Sequence, residues 1–134
     1  LASLSLLTIA LGFVVIHGNL PFFNYHNGPF ATACRQLQKR HSLPWNEDNY
    51  RQALRIIHEA FNQTRKQTVF VGELDNFFEH QPQFTKLRQP IEHYFQHSRV
   101  VFFDQQDTAV EPLYSLQALI GFCQDCREIE RGWQ

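Results

Sequence analysis

The chain has 134 residues, with 12 basic and 13 acidic side chains and a formal net charge of -1. This length suits one domain and is short for two, and the near-neutral balance excludes a bulk basic surface for nucleic acid. Hydrophobic residues make up 43% and charged residues 19%, which excludes an intrinsically disordered chain. Since the sequence starts with Leu1 and contains no Met, we expect it to begin inside a longer protein.

An uncharged, apolar stretch opens the chain, from Leu1 to Ile16, and every Lys, Arg, Asp and Glu lies in residues 35–134. A helix of about 16 residues is roughly 24 Å long, against the roughly 30 Å of a membrane core, and a truncated start accounts for the difference. We therefore predict a transmembrane helix over residues 1–18. One alternative is a signal-peptide core, although no basic segment precedes it and no small-residue cleavage site follows. The other is a buried helix of a soluble domain.

The residues that follow are typical of a membrane exit. A helix-breaking segment at 17–19 precedes several aromatic residues, which favour the membrane–water interface. Basic residues then come before the first acidic residue, Glu47, and the positive-inside rule places the C-terminal part in the cytoplasm. Residues 19–28 form the predicted interfacial linker, and packing of its aromatic residues against the next domain is the alternative. We assign these residues to the interface: Pro21, Phe22, Phe23, Tyr25, Arg35, Lys39 and Arg40.

Residues 29–134 contain no repeat, Gly/Ser linker or low-complexity tract, and we predict one helical domain. Pro29 suits the first position of a helix that runs to Arg40. Asn46 is the predicted N-cap of the next helix, which has acidic residues in its first turn. The apolar face of that helix recurs at helical spacing and comprises Tyr50, Ala53, Leu54, Ile57, Ala60 and Phe61.

Shorter apolar stripes predict the rest of the domain. The first comprises Leu74, Phe77 and Phe78, and residues 68–71 before it fit either a strand or a loop. The next runs over residues 84–95, where Pro90 either kinks the helix or marks its real start. Residues 100–103 fit a helix end or an extended segment, and the polar residues 105–111 predict a loop.

The last helix is predicted to open at Pro112. Its apolar side comprises Leu113, Leu116, Leu119, Ile120 and Cys123, while Arg127 and Arg131 near its end complement the helix dipole. The sequence therefore predicts an all-α protein, with an N-terminal membrane helix and an aromatic-rich domain of about five short helices.

Cys123 and Cys126 form a C-x-x-C motif, which is typical of redox pairs and of half zinc sites. A redox motif normally follows a strand in a βαβ unit, and this one lies within a predicted helix. A zinc site needs two further ligands, of which Cys34 is one candidate. Small buried side chains are the interpretation that the helical setting favours. The odd number of cysteines gives no disulfide framework and suits a reducing compartment.

His93 and His97 lie four residues apart on one helical face, as zinc-binding histidines often do. Glu92 precedes the first histidine, so the H-E-x-x-H pattern is not met, and a solvated polar face is the favoured alternative. These two residues, with Cys123 and Cys126, are the metal-ligand candidates of the sequence.

Asp104, Asp107 and Glu111 offer oxygen ligands of the kind that calcium takes, but their spacing differs from an EF-hand. A solvated loop is the favoured interpretation. The sequence shows no Ser-His-Asp order, phosphate-binding glycine loop or dinucleotide fingerprint. These residues therefore predict a protein that is not an enzyme and holds no cofactor.

Several of these stretches together resemble the C-terminal region of MxaA-type proteins, which are accessory proteins of methanol dehydrogenase in methylotrophic bacteria. The matching stretches are LPFF at 20–23, GPFA at 28–31, YRQALRIIHEAF at 50–61, VF at 69–70, LDNF at 74–77, HQPQF at 80–84, IEHYF at 91–95, FF at 102–103 and the segment 112–132. The resemblance covers nearly the whole chain and carries over no catalytic residue.

The resemblance implies a maturation factor of the bacterial inner membrane that serves methanol dehydrogenase, including insertion of its calcium ion. We expect a single span, a cytoplasmic helical domain, and protein partners from the maturation machinery, such as an AAA-type ATPase. No nucleic acid and no small-molecule substrate is expected. The alternative is a stable subunit of a larger membrane complex that oxidises methane or methanol.

Overall fold

The computed structural model describes residues 28–104 and 112–132. Within them, the apolar residues that recur at helical spacing lie on five α-helices. They are α1 Pro29–Gln38, α2 Glu47–Arg65, α3 Leu74–His80, α4 Arg88–Arg99 and α5 Leu116–Gly132. Two 3-10 helices, Val71–Glu73 and Pro82–Leu87, and a π-helix, Val100–Asp104, connect them. The two described ranges contain no strand, and the prediction of an all-α fold is confirmed.

The predicted transmembrane helix, residues 1–18, lies outside the described residues, as does the interfacial linker up to residue 27. Among the helices that the structure describes, none is long and apolar enough to cross a membrane.

Local sequence rules account well for α1 and α2. Pro29 occupies the first turn of α1 as predicted, but this helix ends at Gln38, two residues before the predicted Arg40. The side-chain oxygen of Asn46 accepts a hydrogen bond from the backbone N–H of Asn49 at 2.9 Å, so Asn46 caps α2 as predicted. The predicted apolar face of α2 is buried along its whole length.

Pro90 lies in the first turn of α4, which begins at Arg88. A helix needs no backbone N–H from its first turn, so proline is tolerated there. The predicted stripe over residues 84–95 is therefore split between the 3-10 helix Pro82–Leu87 and α4. After α4, the apolar residues 100–103 continue as the π-helix.

The prediction that Pro112 opens the last helix is wrong by four residues, since α5 begins at Leu116. The hydroxyl of Ser115 accepts a hydrogen bond from the N–H of Ala118 at 3.0 Å. Ser115 thus provides the helix cap, which is a stronger start than a proline with no capping side chain before it. Leu113 lies before the helix and is 57% exposed, so it is not part of the apolar side.

Phe61 of α2 is at the centre of an aromatic core. Its ring centroid lies 4.9 Å from that of Phe30, 5.5 Å from that of Phe77 and 5.0 Å from that of Phe95. These rings meet mostly edge to face, the arrangement that aromatic quadrupoles prefer. The core therefore joins α1, α3 and α4 to α2, and the second side of α1 packs on α5.

Candidate functional site

A groove of about 670 Å³ lies among the described residues. We call it the α2–α4 groove, because one side is formed by α2, the other by α4, and the rest by residues 68–71 and the π-helix. Its volume lies within the range of about 300–1,000 Å³ that is typical of binding pockets. The lining residues are Arg55, His58, Glu59, Asn62, Thr68, Phe70, Val71, Phe95, Ser98, Arg99, Phe102 and Phe103.

Aromatic rings give the groove its apolar character. Phe95 is buried and packs on His58, with ring centroids 4.9 Å apart. Phe70 and Phe103 are instead 53% and 74% exposed. Large side chains of this kind are usually buried, so these exposed apolar side chains at one concave site make the groove a candidate binding surface.

Two polar side chains of the groove hold its wall in place. The N–H of Val69 donates to the side-chain oxygen of Asn62 at 2.8 Å, and the Nε2 of His58 hydrogen-bonds the carbonyl of the same Val69 at 2.8 Å. These bonds attach the segment before Phe70 to α2. His58 and Asn62 therefore have structural partners and shape the groove.

Arginines from α2 lie at the π-helix end of the groove. The guanidinium carbon of Arg55 is 5.1 Å from the ring centroid of Phe102, and that of Arg51 is 5.6 Å from it. Such contacts are favourable cation–π interactions. Arg51 also pairs with Glu47 at 3.2 Å, whereas Arg55 forms no ion pair within the part of the chain that the structure describes.

The sequence candidates Cys123 and Cys126 lie in a different region, the interface of α1 and α5. Both thiols are buried, as is that of Cys34, and the Sγ of Cys123 lies 3.7 Å from the carbonyl oxygen of Phe30. The hydrogen bond with Cys34 and then burial raise the pKa of the Cys123 thiol well above its ordinary value. Burial, with a smaller effect of Asp125, raises the pKa of Cys126. The two thiols of the motif stay protonated at neutral pH and are poor nucleophiles.

His93 and His97 share one face of α4, as their spacing predicts, and both contact tyrosines. The hydroxyl of Tyr50 lies 2.6 Å from the Nε2 of His97, and its oxygen also accepts from the N–H of Tyr114 at 3.3 Å. The Nδ1 of His93 hydrogen-bonds the hydroxyl of Tyr114. Burial, together with the charge of His93, lowers the pKa of His97. This histidine pair anchors the segment before α5, and His97 is half-buried rather than solvated.

No group of three or more His, Cys, Asp or Glu side chains in residues 28–104 and 112–132 is arranged to hold a metal ion. The carboxylates of Asp104, Asp107 and Glu111, which the sequence offers as calcium ligands, fall outside the described part of the chain.

Of the residues assigned to the membrane interface, those of the linker lie outside the described residues: Pro21, Phe22, Phe23 and Tyr25. Arg35 and Lys39 are exposed, at and just after the end of α1. Arg40 is half-buried and donates to the side-chain oxygen of Gln52 at 2.7 Å, so it also joins α1 to α2.

Glu130 near the end of α5 has a role that the sequence did not predict. Its carboxylate accepts hydrogen bonds from the N–H of Phe30 at 3.0 Å and from that of Ala31 at 3.3 Å. It therefore caps α1, whose own N-cap residue, Gly28, has no side chain. A Cβ atom at Gly28 would lie 2.4 Å from the Glu130 carboxylate. The one hint in the sequence is a helix start at Pro29 without a capping residue.

Comparison with known protein families, with characterised proteins and with solved structures finds no match to this chain.

Proposed function

We propose that the helical domain is a non-catalytic protein-interaction module of a membrane-anchored accessory protein that serves the maturation of methanol dehydrogenase. The α2–α4 groove is the observation that carries the interaction role. Its aromatic side chains, Phe70 and Phe103, are exposed around a cavity of about 670 Å³. Burying them against a partner removes apolar surface from water at roughly 25 cal/mol per Å².

The polar groups of the described residues support a non-catalytic role. His58 and Asn62 in the groove are bound to the backbone of Val69, and the two histidines of α4 are bound to tyrosines. Catalysis needs an acid, a base or a nucleophile that faces a substrate. These side chains instead form hydrogen bonds within the domain.

The maturation role rests on the resemblance of the sequence to MxaA-type proteins. In this proposal residues 1–18 span the bacterial inner membrane once, residues 19–28 lie at the interface, and the helical domain is cytoplasmic. Its partner belongs to the maturation machinery of methanol dehydrogenase, such as an AAA-type ATPase, and the end result is an enzyme loaded with calcium. The domain takes no cofactor, nucleic acid or small-molecule substrate.

The test is made in the native host, with the groove variant Phe103→Asp in the full protein. Because Phe103 is 74% exposed, the variant folds and loses its binding surface. We expect lower methanol dehydrogenase activity and less calcium per enzyme molecule, measured by dye-linked assay and by metal analysis. Leu113→Asp changes an apolar side chain of similar exposure, 57%, outside the groove and is the matched control. Deletion of residues 29–134 with normal activity and calcium would refute the proposal.

A permanent subunit of a larger methane- or methanol-oxidising complex is the second candidate, because lasting interfaces are also rich in apolar side chains. The two candidates differ in stoichiometry. A subunit stays with the active complex during purification at a fixed ratio, whereas a maturation factor is absent from the finished enzyme. Quantitative mass spectrometry of the purified enzyme distinguishes them.

A further inference from the structure

We infer that the α2–α4 groove binds an acidic amphipathic helix of a partner protein, with an apolar side chain of that helix on Phe95 and a carboxylate on Arg55. This inference rests on the proposed interaction role and names the chemistry of the partner. It follows from the shape of the groove, from its charge and from the composition of the chain itself.

The shape favours an inserted side chain. Phe95 is buried and lines a concave site, between the exposed rings of Phe70 and Phe103. A helix bound in such a groove has residues three or four apart on the same face. One or two of their side chains can insert into the concave site. A bilayer is instead bound by the apolar face of an amphipathic helix that lies in the plane of the interface.

The charge of the groove favours an acidic ligand. Arg55 and Arg99 line it, against Glu59 as the single acidic residue among the described lining residues. Arg55 rests on the ring of Phe102 at 5.1 Å. A guanidinium presents a planar fork of N–H donors that fits a carboxylate in a bidentate pair.

The opening segment of the chain does not supply that carboxylate. Residues 1–46 contain no Asp and no Glu, so the stretch before α1 and the start of the domain lack the complementary charge. The occupant proposed for the groove is therefore a segment of a partner protein that carries Asp or Glu beside apolar residues, and not residues 1–46.

The direct test uses the full chain in neutral lipid nanodiscs and a synthetic probe. The probe is a peptide of about 18 residues, roughly 27 Å as a helix, with Leu at i, i+4 and i+7 and Glu at most other positions. Its matched control carries Lys in place of every Glu. We expect the acidic peptide to bind, as measured by fluorescence anisotropy, and the basic peptide to bind at least about tenfold more weakly, a difference of about 1.4 kcal/mol.

Two pairs of variants locate the binding. Arg55→Glu and Phe103→Asp should each weaken binding of the acidic peptide by at least about tenfold, as for central interface residues. Arg131→Glu reverses a charge on the distant end of α5, where Arg131 pairs weakly with Glu128 at 3.8 Å, and Leu113→Asp changes an exposed apolar side chain elsewhere. These controls should stay within about twofold of the parent protein. Equal binding of both peptides, or no effect of Arg55→Glu, would overturn the inference.

Other occupants give distinct results. A fluorophore on Thr68→Cys, an exposed position that lines the groove, reports its occupancy, because the three native cysteines are buried. A blue shift on adding the acidic peptide is expected. A blue shift in nanodiscs with anionic lipid, without response to the peptide, would overturn the inference in favour of the membrane. Self-association that Phe103→Asp abolishes, again without peptide binding, would overturn it in favour of a second copy.

The two proposals fail separately. If the peptide does not bind while Phe103→Asp still lowers the calcium content of methanol dehydrogenase in the host, the acidic helix is wrong and the maturation role stands. If the acidic peptide binds at the groove while Phe103→Asp leaves the activity and calcium content of methanol dehydrogenase normal in the host, the maturation role is wrong and the acidic helix stands.

Discussion

The α1–α5 interface and the α2–α4 groove differ in what their polar and apolar side chains contact. In the interface, Glu130 is bound to two backbone N–H groups of α1, and the thiol of Cys123 lies against the carbonyl of Phe30. In the groove, Phe103 is exposed and Arg55 has no carboxylate partner among the described residues. In the interface these groups contact other parts of the domain, whereas in the groove the side chains of Phe103 and Arg55 are exposed to solvent.

Under the proposed function, this difference separates the residues that stabilise the domain from those that bind a partner. A group that already has an internal partner gains little from a ligand, because the ligand must replace a bond that is already made. Phe103 is exposed and Arg55 has only its contact with the ring of Phe102, so both side chains can also contribute to a complex. Mutations in the interface should therefore lower the free energy of unfolding and leave binding nearly unchanged. Mutations in the groove should weaken binding and leave the free energy of unfolding nearly unchanged.

The largest expected effect is on stability, from Phe61→Ala. The ring of Phe61 is fully buried and contacts several other rings, and replacing such a residue with alanine costs about 3–5 kcal/mol. Phe103→Ala is the matched variant in the groove and should change the free energy of unfolding by less than about 0.5 kcal/mol. Thermal unfolding of the full chain in detergent, followed by circular dichroism, measures both. Similar losses in the two variants would contradict the division of roles.

A smaller effect is expected where Glu130 caps α1. Glu130→Ala should destabilise the domain by about 1 kcal/mol, as the loss of a helix cap usually does. Gly28→Ala should cost a similar amount, because its Cβ would lie 2.4 Å from the capping carboxylate and displace it. The double variant should lose clearly less than the sum of the two, since both remove the same contact.

The control for this cycle is Glu128→Ala, which removes an exposed carboxylate from the same helix. It should leave stability within about 0.5 kcal/mol of the parent protein. Strict additivity of Gly28→Ala and Glu130→Ala would show that they act through different contacts.

The smallest expected effect depends on pH and concerns His97. Its pKa is lowered in the folded protein, chiefly by burial, so the unfolded chain binds the proton more strongly. The stability contributed by neutral His97 is therefore complete above about pH 7.5 and is lost as the pH falls below about 6.5 and through the folded pKa. We expect His97→Gln, which retains an acceptor for the Tyr50 hydroxyl, to flatten this acid branch in urea unfolding measured across pH.

His80→Gln is the control for that measurement, because His80 is exposed at the end of α3. It should leave the acid branch of the stability curve as it is in the parent protein. An unchanged acid branch in His97→Gln would mean that the buried imidazole of His97 does not govern the pH response.

The features that the sequence predicts well are those encoded within a few residues. The apolar face of α2 repeats at helical spacing, and the cap at Asn46 depends on a residue three positions away. The prediction that α5 starts at Pro112 is wrong because Pro112 and Ser115 are competing local start signals. The hydroxyl of Ser115 accepts a hydrogen bond from the N–H of Ala118, and the helix therefore begins after Ser115.

The features that the sequence does not predict depend on distant partners. The apolar stripe indicates that Phe95 is buried, but nothing near Phe103 shows that it is exposed, because the wall formed by Phe70 and its neighbours comes from another part of the chain. The tyrosine partners of His97 and His93 lie 47 and 21 residues away. Spacing places these histidines correctly on one face of α4, but it does not show what they contact.

The cap on α1 also sets the order in which the domain can be completed during synthesis. Glu130 and Phe30 are separated by 100 residues, so α1 leaves the ribosome long before the side chain that caps it has been made. Until then its leading N–H groups and its buried face have neither the carboxylate nor α5 as a partner. A nascent chain stalled before residue 130 should therefore remain sensitive to protease in α1, and release of the complete chain should end that sensitivity.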